Sequence, residues 1–399
     1  MIAGRWVYRC GMDEDILAGV AEDWQVVLRV LPLGWQEKAG ELGALRRYRA
    51  FPDAATLLRV LLIHLAEGCS LRETAVRAAE GQLVRVSDVA LLKRLRVSGE
   101  WFCWMGEELI RRWMTARPVL PLLGAGWRVR IVDGSTVNEP GATGSSWRLH
   151  YAVGLPALAC EEVHVTARSI GESLCRFQVA AGDLLIADRG FATRNGVRHV
   201  HQHGGAVIVR LNLTNLPLSN HAGQPFALLP QLRTLKVDQI GDWPVAVSQD
   251  KKGSPPITGR VCAIKKSQTA AERSRLKAER ESRHGGHQVQ PETLEAAEYI
   301  FVFTTLAADI PALAILEMYR GRWQVELTFK RLKSLLALGH LKKVDPQGAK
   351  AWLQGKLLVA ILIETLIALA ERFFPWGYPL VPDSASLPLA GNLTHAAPS

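Results

Sequence analysis

Two aspartates and one glutamate stand where acidic side chains could share a metal ion. Asp133 follows the alternating and then apolar run 127–132, and Asp188 follows the apolar run 184–187. Both runs are typical of β-strands, so each acid is predicted at a strand end. A single aspartate there is usually a turn former or a helix cap. Two of them, together with Glu326 on a predicted helix, instead favour a site for a hard cation, Mg²⁺ or Mn²⁺.

Such a set of carboxylates suits phosphodiester chemistry. Mg²⁺ keeps several waters and binds few protein carboxylates, which leaves coordination positions for phosphate oxygens. Two such ions can activate a nucleophile and stabilise the leaving oxygen. The histidines suggest no different metal site, because His199, His201 and His203 do not share a helix face. We interpret these three and His150 as surface or polar-core residues.

A predicted helix over about 310–338 carries a cationic edge. Five polar side chains fall within an arc of about 80° on this helix: Tyr319, Arg322, Glu326, Lys330 and Lys333. A separate apolar stripe is suited to packing against a core: Val325, Phe329, Leu332 and Leu336. A surface ion pair would explain Glu326 and Lys330 alone. It does not explain cations clustered around one acid, so the edge is predicted to hold phosphate groups.

These residues resemble a known family. The spacing in the helix is similar to the Y-R-E-K signature of DDE transposases from bacterial insertion sequences of the IS-four type: Tyr319-x2-Arg322-x3-Glu326-x6-Lys333. Trp323, inside the signature, also fits. Residues 131–136 and 187–191 resemble the first and second Asp motifs of that family. The resemblance covers about 127–340 well and the helical flanks loosely.

The resemblance implies an α/β fold with a ribonuclease H-like catalytic core that is interrupted by a β-rich insertion. It divides the chain into a helical N-terminal DNA-binding domain, a catalytic core in two segments, the insertion, and a C-terminal helical segment with a possible role in dimerisation: 1–120, 121–211 with 299–345, 212–298, and 346–399. The predicted N-terminal helices over 55–65 and 71–79, and a third from Ser87, are compatible with a helix-turn-helix or with any small bundle.

The resemblance also implies a mechanism. Asp133, Asp188 and Glu326 would hold two Mg²⁺ ions, for which Mn²⁺ can substitute. Water would cut double-stranded DNA at the ends of the element. The freed 3′-hydroxyl would then attack target DNA in a cut-and-paste reaction, often through a hairpin. The family works as a homodimer in a synaptic complex.

Several cationic and aromatic residues are implied DNA contacts. Tyr319, Arg322 and Lys333 would grip the terminal phosphates, and Lys330 lies on the same predicted edge. Three further candidates have structural alternatives: Arg189 and Arg210 can be satisfied structural arginines, and Trp243, which could stack on a flipped base, can be a core or surface residue.

Charge and composition agree with a nucleic-acid partner. The 399 residues include 48 Lys and Arg against 38 Asp and Glu, a formal net charge of +10. An anionic partner or a mildly basic enzyme would both explain this excess. Hydrophobic residues at 48% and charged residues at 22% predict a globular core.

Cysteine usage and hydropathy indicate the cellular compartment of the protein. Six cysteines without a CxxC pair argue against a disulfide framework and a structural zinc site, and they fit a reduced compartment. The apolar run 357–370 contains Glu364 and is too short to span a bilayer. We therefore expect a cytoplasmic, nucleoid-associated protein without a membrane partner.

Two other functions stay open: a structure-specific nuclease of the same fold, and a non-catalytic DNA-binding regulator derived from a transposase.

Overall fold

The computed structural model describes most of the chain: residues 24–46, 50–115, 121–122, 125–138, 145–155, 158–248, 253–284, 286, 288–335, 341 and 345–373. Contacts divide the chain into two compact units, residues 31–361 and residues 1–30 with 362–399. Of the latter unit, 24–30 and 362–373 are described, and both are helical. The predicted start of the N-terminal domain and the end of the signature helix, including Leu336, lie outside the described residues.

The N-terminal part is helical, as predicted. Its helices are α1 (Trp35–Glu41), α2 (Ala54–Ala66), α3 (Leu71–Glu80), α4 (Asp88–Val97) and α5 (Gly99–Thr115). Three of them begin at a side-chain cap: the side chains of Asp53, Ser70 and Ser87 accept backbone N–H groups of the first turns of α2, α3 and α4. These caps satisfy donors that a helix leaves unpaired at its start.

Two short strands, β1 (Pro121–Leu122) and β2 (Ala125–Gly126), precede a nine-stranded sheet. Its strands are β3 (Arg128–Asn138), β4 (Ser145–Gly154), β5 (Ala159–Ala167), β6 (Asp183–Ala187), β7 (Ala206–Arg210), β8 (Leu218–Ser219), β9 (Ile240–Val247), β10 (Ile257–Lys265) and β11 (Tyr299–Thr304). The spatial order is β5-β4-β3-β6-β7-β11-β10-β9-β8. The predicted mixed α/β class is confirmed.

The middle of the sheet is parallel. β6 pairs in parallel with β3 and with β7, and the other neighbours are antiparallel. Every residue of β6 is buried, which is why its sequence is a continuous apolar run after Asp183. The helix α6 (Arg194–Gln202) connects β6 to β7 and buries Val197 and Val200. The core therefore fixes the strand that leads to Asp188.

The insertion predicted over 212–298 extends this same sheet. It supplies β8, β9 and β10, and β10 pairs with β11 from Arg260–Thr304 to Lys265–Tyr299. It also contains the helices α7 (Leu228–Arg233), α8 (Gln268–His284) and α9 (Pro291–Ala296). The segment is thus a mixed extension of the core sheet.

The prediction of one continuous helix over 310–338 is wrong, because a turn interrupts it. The structure has two helices, α10 (Ala312–Arg320) and α11 (Trp323–Leu335). The N–H of Arg322 bonds to the carbonyl of Tyr319, and that of Val325 to the carbonyl of Arg322, so the junction is a tighter turn. Gly321, a poor helix former, lies in this turn. The last helix is α12 (Pro346–Phe373).

In the described ranges, no helix combines the length and the apolar character needed to cross a membrane.

Candidate active site

The two aspartates lie side by side at one edge of the parallel pairing. The last parallel pair of β3 and β6 joins Val132 to Ala187, and Asp133 and Asp188 follow directly. The prediction that Asp133 ends its strand is wrong, because β3 continues along β4 to Asn138. Asp188 does end β6, as predicted. The site thus forms where β6 stops while β3 runs on.

The junction of α10 and α11 lies over both acids. The Tyr319 hydroxyl donates to Oδ1 of Asp188 at 3.1 Å. Arg322 places Nη1 3.6 Å from Oδ2 of Asp133 and Nη2 2.7 Å from Oε1 of Glu326. The guanidinium of Arg322 also lies 5.9 Å from the centre of the Tyr319 ring. Five of the predicted residues are therefore linked directly, with Arg322 between two acids.

The apolar stripe fixes how α11 presents this edge. Val325, Phe329 and Leu332 are buried as predicted, and the ring of Phe329 lies 5.8 Å from that of Tyr151 on β4. The polar edge of the helix, together with Phe329, borders an open cleft of about 560 Å³. Its lining joins the first and third acids to the two lysines: Asp133, Gly134, Ser135, Glu326, Phe329, Lys330 and Lys333.

The two aspartates differ in electrostatics. Burial raises the pKa of Asp133 to about 6, with Glu172 and Asp188 adding to the rise and the Gly134 N–H and Arg322 opposing it. Burial also acts to raise the pKa of Asp188, but the Arg189 N–H, Arg322, Arg210 and Tyr319 outweigh it, so this pKa is lowered.

The pKa values of Tyr319 and Arg322, at the junction of α10 and α11, are shifted by the same neighbouring acids. Burial, reinforced by the charge of Asp188, raises the pKa of Tyr319 to about 12, so the hydroxyl stays a donor. The pKa of Arg322 is raised by Tyr319, Asp188, Glu326 and Asp133 against the effect of burial, so it stays a cation.

The remaining predicted residues differ in whether they lie near the acids. Arg210, at the end of β7, is close enough to affect Asp188 and Tyr319 electrostatically. Arg189 follows Asp188 in the chain, and its exposed side chain lies 3.8 Å from Glu281 on α8. Trp243 is partly buried, packs against the hydrophobic core, and has its ring over Gly241. The structure therefore brings Arg210, but not Trp243, to the acids.

Among the four histidines, His150 and His199 make hydrogen bonds within the fold. His150 is buried and its Nε2 lies 2.9 Å from Thr166 Oγ1, while His199 Nε2 lies 3.0 Å from the carbonyl oxygen of Phe177. In the part of the chain that the structure describes, no three His, Cys, Asp or Glu side chains are arranged to hold a metal ion. At the site itself, Glu326 is 59% exposed and turned to Arg322.

Comparison with known proteins identifies the family. A model described as "Transposase DDE domain" matches residues 160–362, a range that includes Asp188 and Glu326. The chain is 35% identical over 360 residues to the putative transposase InsL of insertion sequence element IS186A from Escherichia coli K12. That alignment covers 89% of this chain and 96% of the relative. The chain belongs to the DDE transposase family.

Further relatives carry related names. The transposase of insertion sequence element IS421 from Escherichia coli is 35% identical over 361 residues, covering 89% of this chain and 96% of that protein. The transposase of insertion sequence element IS231F from Bacillus thuringiensis is 27% identical over 205 residues, or 47% of this chain and 42% of that protein. The predicted resemblance to insertion-sequence DDE transposases is confirmed, and with it an enzyme that acts on DNA.

A further acid, Glu172, lies near the two aspartates and was not predicted from the sequence. Glu172 lies in the loop after β5, and its charge acts on Asp133, while Asp188 acts on Glu172. No periodic pattern marks a loop residue such as this one. The signal available in the sequence was indirect: a glycine follows closely on each aspartate, as Gly134 and as Gly190.

Proposed function

We propose that this transposase excises an insertion sequence by cutting at its ends and joins the freed ends to target DNA. Asp133, Asp188 and Glu326 are the catalytic acids of this proposal, on a ribonuclease H-like core. The observation that carries it is the linkage of Asp188 to Tyr319 and of Asp133 and Glu326 to Arg322. This linkage brings together the Asp motifs and the Y-R-E-K helices, which lie far apart in the chain.

The donor set supports a divalent cation, with Mg²⁺ proposed in two positions and Mn²⁺ as a substitute. The three acids offer only carboxylate oxygens, the ligands that hard cations prefer. Such ions, when bound, stabilise the charges of the attacking and leaving oxygens in phosphodiester cleavage. Arg322 contacts Asp133 and Glu326, and we propose that it exchanges these contacts for DNA phosphates. Its fork of N–H donors suits that role.

The cations around the cleft support a grip on DNA. Lys330 and Lys333 are exposed and line the cleft beside Glu326. We propose that they bind phosphates together with Tyr319 and Arg322. Further proposed DNA contacts are Arg189, Arg210 and Trp243. The proposal includes a homodimer in a synaptic complex, with the C-terminal segment as a candidate interface, acting at the nucleoid.

Strand cleavage tests the assignment of the acids. Purified protein is incubated with labelled DNA carrying the ends that flank its gene, with Mg²⁺, Mn²⁺ or EDTA. The variants Asp133→Asn, Asp188→Asn and Glu326→Gln should each lose cleavage by about a thousandfold or more, since such residues act as a unit. DNA binding, measured by gel shift, should be largely retained in all three.

A matched control gives the test its meaning. Glu292→Gln changes an exposed acid on α9 and should cleave like the unmodified protein. Normal cleavage by any one acid variant removes that residue from the proposed site. Cleavage without joining of ends would favour the structure-specific nuclease, and tight binding without cleavage under any metal would favour the DNA-binding regulator.

A further inference from the structure

Two asparagines close the turn that follows β7. The side-chain oxygen of Asn212 accepts the backbone N–H of Thr214 at 2.9 Å and that of Asn215 at 2.6 Å. The backbone N–H of Asn212 in turn donates to Oδ1 of Asn215 at 3.1 Å. Leu211 and Leu216, on either side of the turn, are buried in the hydrophobic core. The turn is therefore anchored at both ends and closed by side chains that favour such turns.

The amide of Asn215 joins this turn to the residue after Asp188. Its Oδ1 is used inside the turn, and its Nδ2 donates to the carbonyl oxygen of Arg189 at 2.7 Å. Because β6 and β7 are parallel neighbours, Asp188 and the turn after β7 leave the sheet at the same edge. Ligands of open α/β sheets bind at this carboxyl edge. The half-buried Asn215 thus lies at the edge that carries the acid.

The carbonyl of Arg189 does not need Asn215 in order to be satisfied. It also accepts the N–H of Ala192 at 3.2 Å, within the short turn after β6. Asn215 is a second donor, and it comes from a separate loop whose ends are buried. The N–H of Arg189 donates to the carboxylate of Asp188. One residue, Arg189, is therefore held by Asn215 through its carbonyl and itself holds the acid through its N–H.

We propose that Asn215 is a positioning residue for strand cleavage, which keeps the Asp188 carboxylate in place through the backbone of Arg189. This inference rests on the proposed function, in which Asp188 is a catalytic acid. Arg210, a proposed DNA contact, ends the strand that leads into the same turn, so the turn connects this contact to the acid. A shift of a catalytic group by about 1 Å can slow a reaction about a hundredfold, so a small displacement of this loop is enough to matter.

An isosteric substitution tests the Asn215 donor separately from the turn. Asn215→Asp keeps the oxygen that accepts the Asn212 N–H, but it places a second oxygen against the Arg189 carbonyl. Labelled DNA carrying the element ends is cleaved with Mg²⁺ and the protein in excess. The maximal cleavage rate should fall about ten- to a hundredfold, while the protein concentration that gives half of this rate stays unchanged. Asn215→Ala, which removes the donor without adding charge, should show the same loss.

Hydrogen–deuterium exchange of the full-length protein follows the same contact without relying on activity. In both Asn215 variants, the amides of residues 189–192 should exchange severalfold faster, because the turn after β6 has lost an anchor, while the core strands stay protected. Asn220→Ala is the matched control. Asn220 closes a similar turn in the insertion by accepting the N–H groups of Ala222 and Gln224. This variant should leave the cleavage rate and the exchange of 189–192 unchanged.

The outcomes separate this inference from the proposal beneath it. A normal maximal rate for Asn215→Asp overturns the inference, since the turn alone then suffices. Slow cleavage with unchanged exchange over 189–192 also overturns it, because Asn215 then acts elsewhere, and faster exchange throughout the sheet would show a general loss of stability instead. Normal cleavage by Asp188→Asn is a failure of the proposed function itself. Slow cleavage by both Asn215 variants, with faster exchange confined to 189–192, supports the inference.

Discussion

Asp133 and Asp188 occupy adjacent strand positions, yet their carboxyl groups are held differently. Asp188 accepts the Tyr319 hydroxyl and the Arg189 N–H, and its pKa is lowered. In the described part of the chain, Asp133 accepts a hydrogen bond from the N–H of Gly134, and burial raises its pKa to about 6. Pairs of acids whose environments push their pKa values apart are typical of catalytic sites. Asp133 is the acid whose charge is the more costly to the folded protein.

This difference predicts opposite effects of two matched substitutions on stability in EDTA. The folded pKa of Asp133 lies above its ordinary value of 3.8, so ionisation disfavours the fold as pH rises through about 6. Asp133→Asn should therefore raise the melting temperature at pH 7, and the gain should vanish below about pH 4. Melting curves at closely spaced pH values measure it.

Asp188→Asn is the control of opposite sign. The folded pKa of Asp188 lies below 3.8, so its charge stabilises the fold above that pH. The variant should melt lower at pH 7, and the difference should fade as pH falls through the folded pKa. A lower melting temperature for both variants at pH 7 would contradict the electrostatic distinction between the two aspartates.

The strand β3 positions Asp133 through a buried ion network. Arg130 is inaccessible to solvent and pairs with Glu161 at 3.1 Å and Glu162 at 2.7 Å on β5, and with Asp183 at 3.5 Å on β6. Gly154 lies opposite Arg130 on β4, and a Cβ there would collide with Glu161. The arginine side chain therefore ties together the strands on both sides of β3, three residues before the first acid.

Removing this arginine should destabilise the protein strongly. Arg130→Met leaves buried carboxylates without their cation, at a cost of about 3–5 kcal/mol in the free energy of unfolding. Urea denaturation measures this cost. Arg233→Gln is the control, since its pair with Glu295 is exposed and should contribute little to stability. Similar losses in the two variants would show that burial does not set the strength of the Arg130 network.

These strands and helices show how much of the fold and of the candidate site can be predicted from the sequence. The apolar run before Asp188 predicts a buried strand because a strand covered on both faces needs apolar side chains throughout, and every residue of β6 is buried. The continuation of β3 past Asp133 could not be predicted, since it depends on pairing with β4 and not on local pattern. The turn at Gly321 was hidden because Tyr319 and Arg322, on either side of it, keep the helical spacing to Glu326. Glu172 lies near both aspartates on a loop, where no periodicity exists to read.

At the scale of the whole molecule, excess positive charge and the cation-lined cleft point to the same partner. The formal net charge is +10, and two exposed lysines stand beside the acids. Long-range attraction would bring DNA to the protein, while the cleft selects which phosphates meet the carboxylates. Charge attracts any DNA, so specificity for element ends needs base contacts or DNA shape in addition.

The salt dependence of DNA affinity separates long-range attraction from phosphate contacts in the cleft. Each phosphate neutralised by the protein adds about 0.9 to the slope of log affinity against log salt concentration for duplex DNA. Lys333→Gln removes one proposed phosphate contact and should reduce this slope by about 1, equally for end and unrelated sequences. Fluorescence anisotropy between low and physiological salt measures it. Lys277→Gln, an exposed lysine on α8 lying 3.9 Å from Glu281, is the matched control for lost charge. An equal reduction in both variants would mean that net charge alone is being measured and that Lys333 does not bind a phosphate in the cleft.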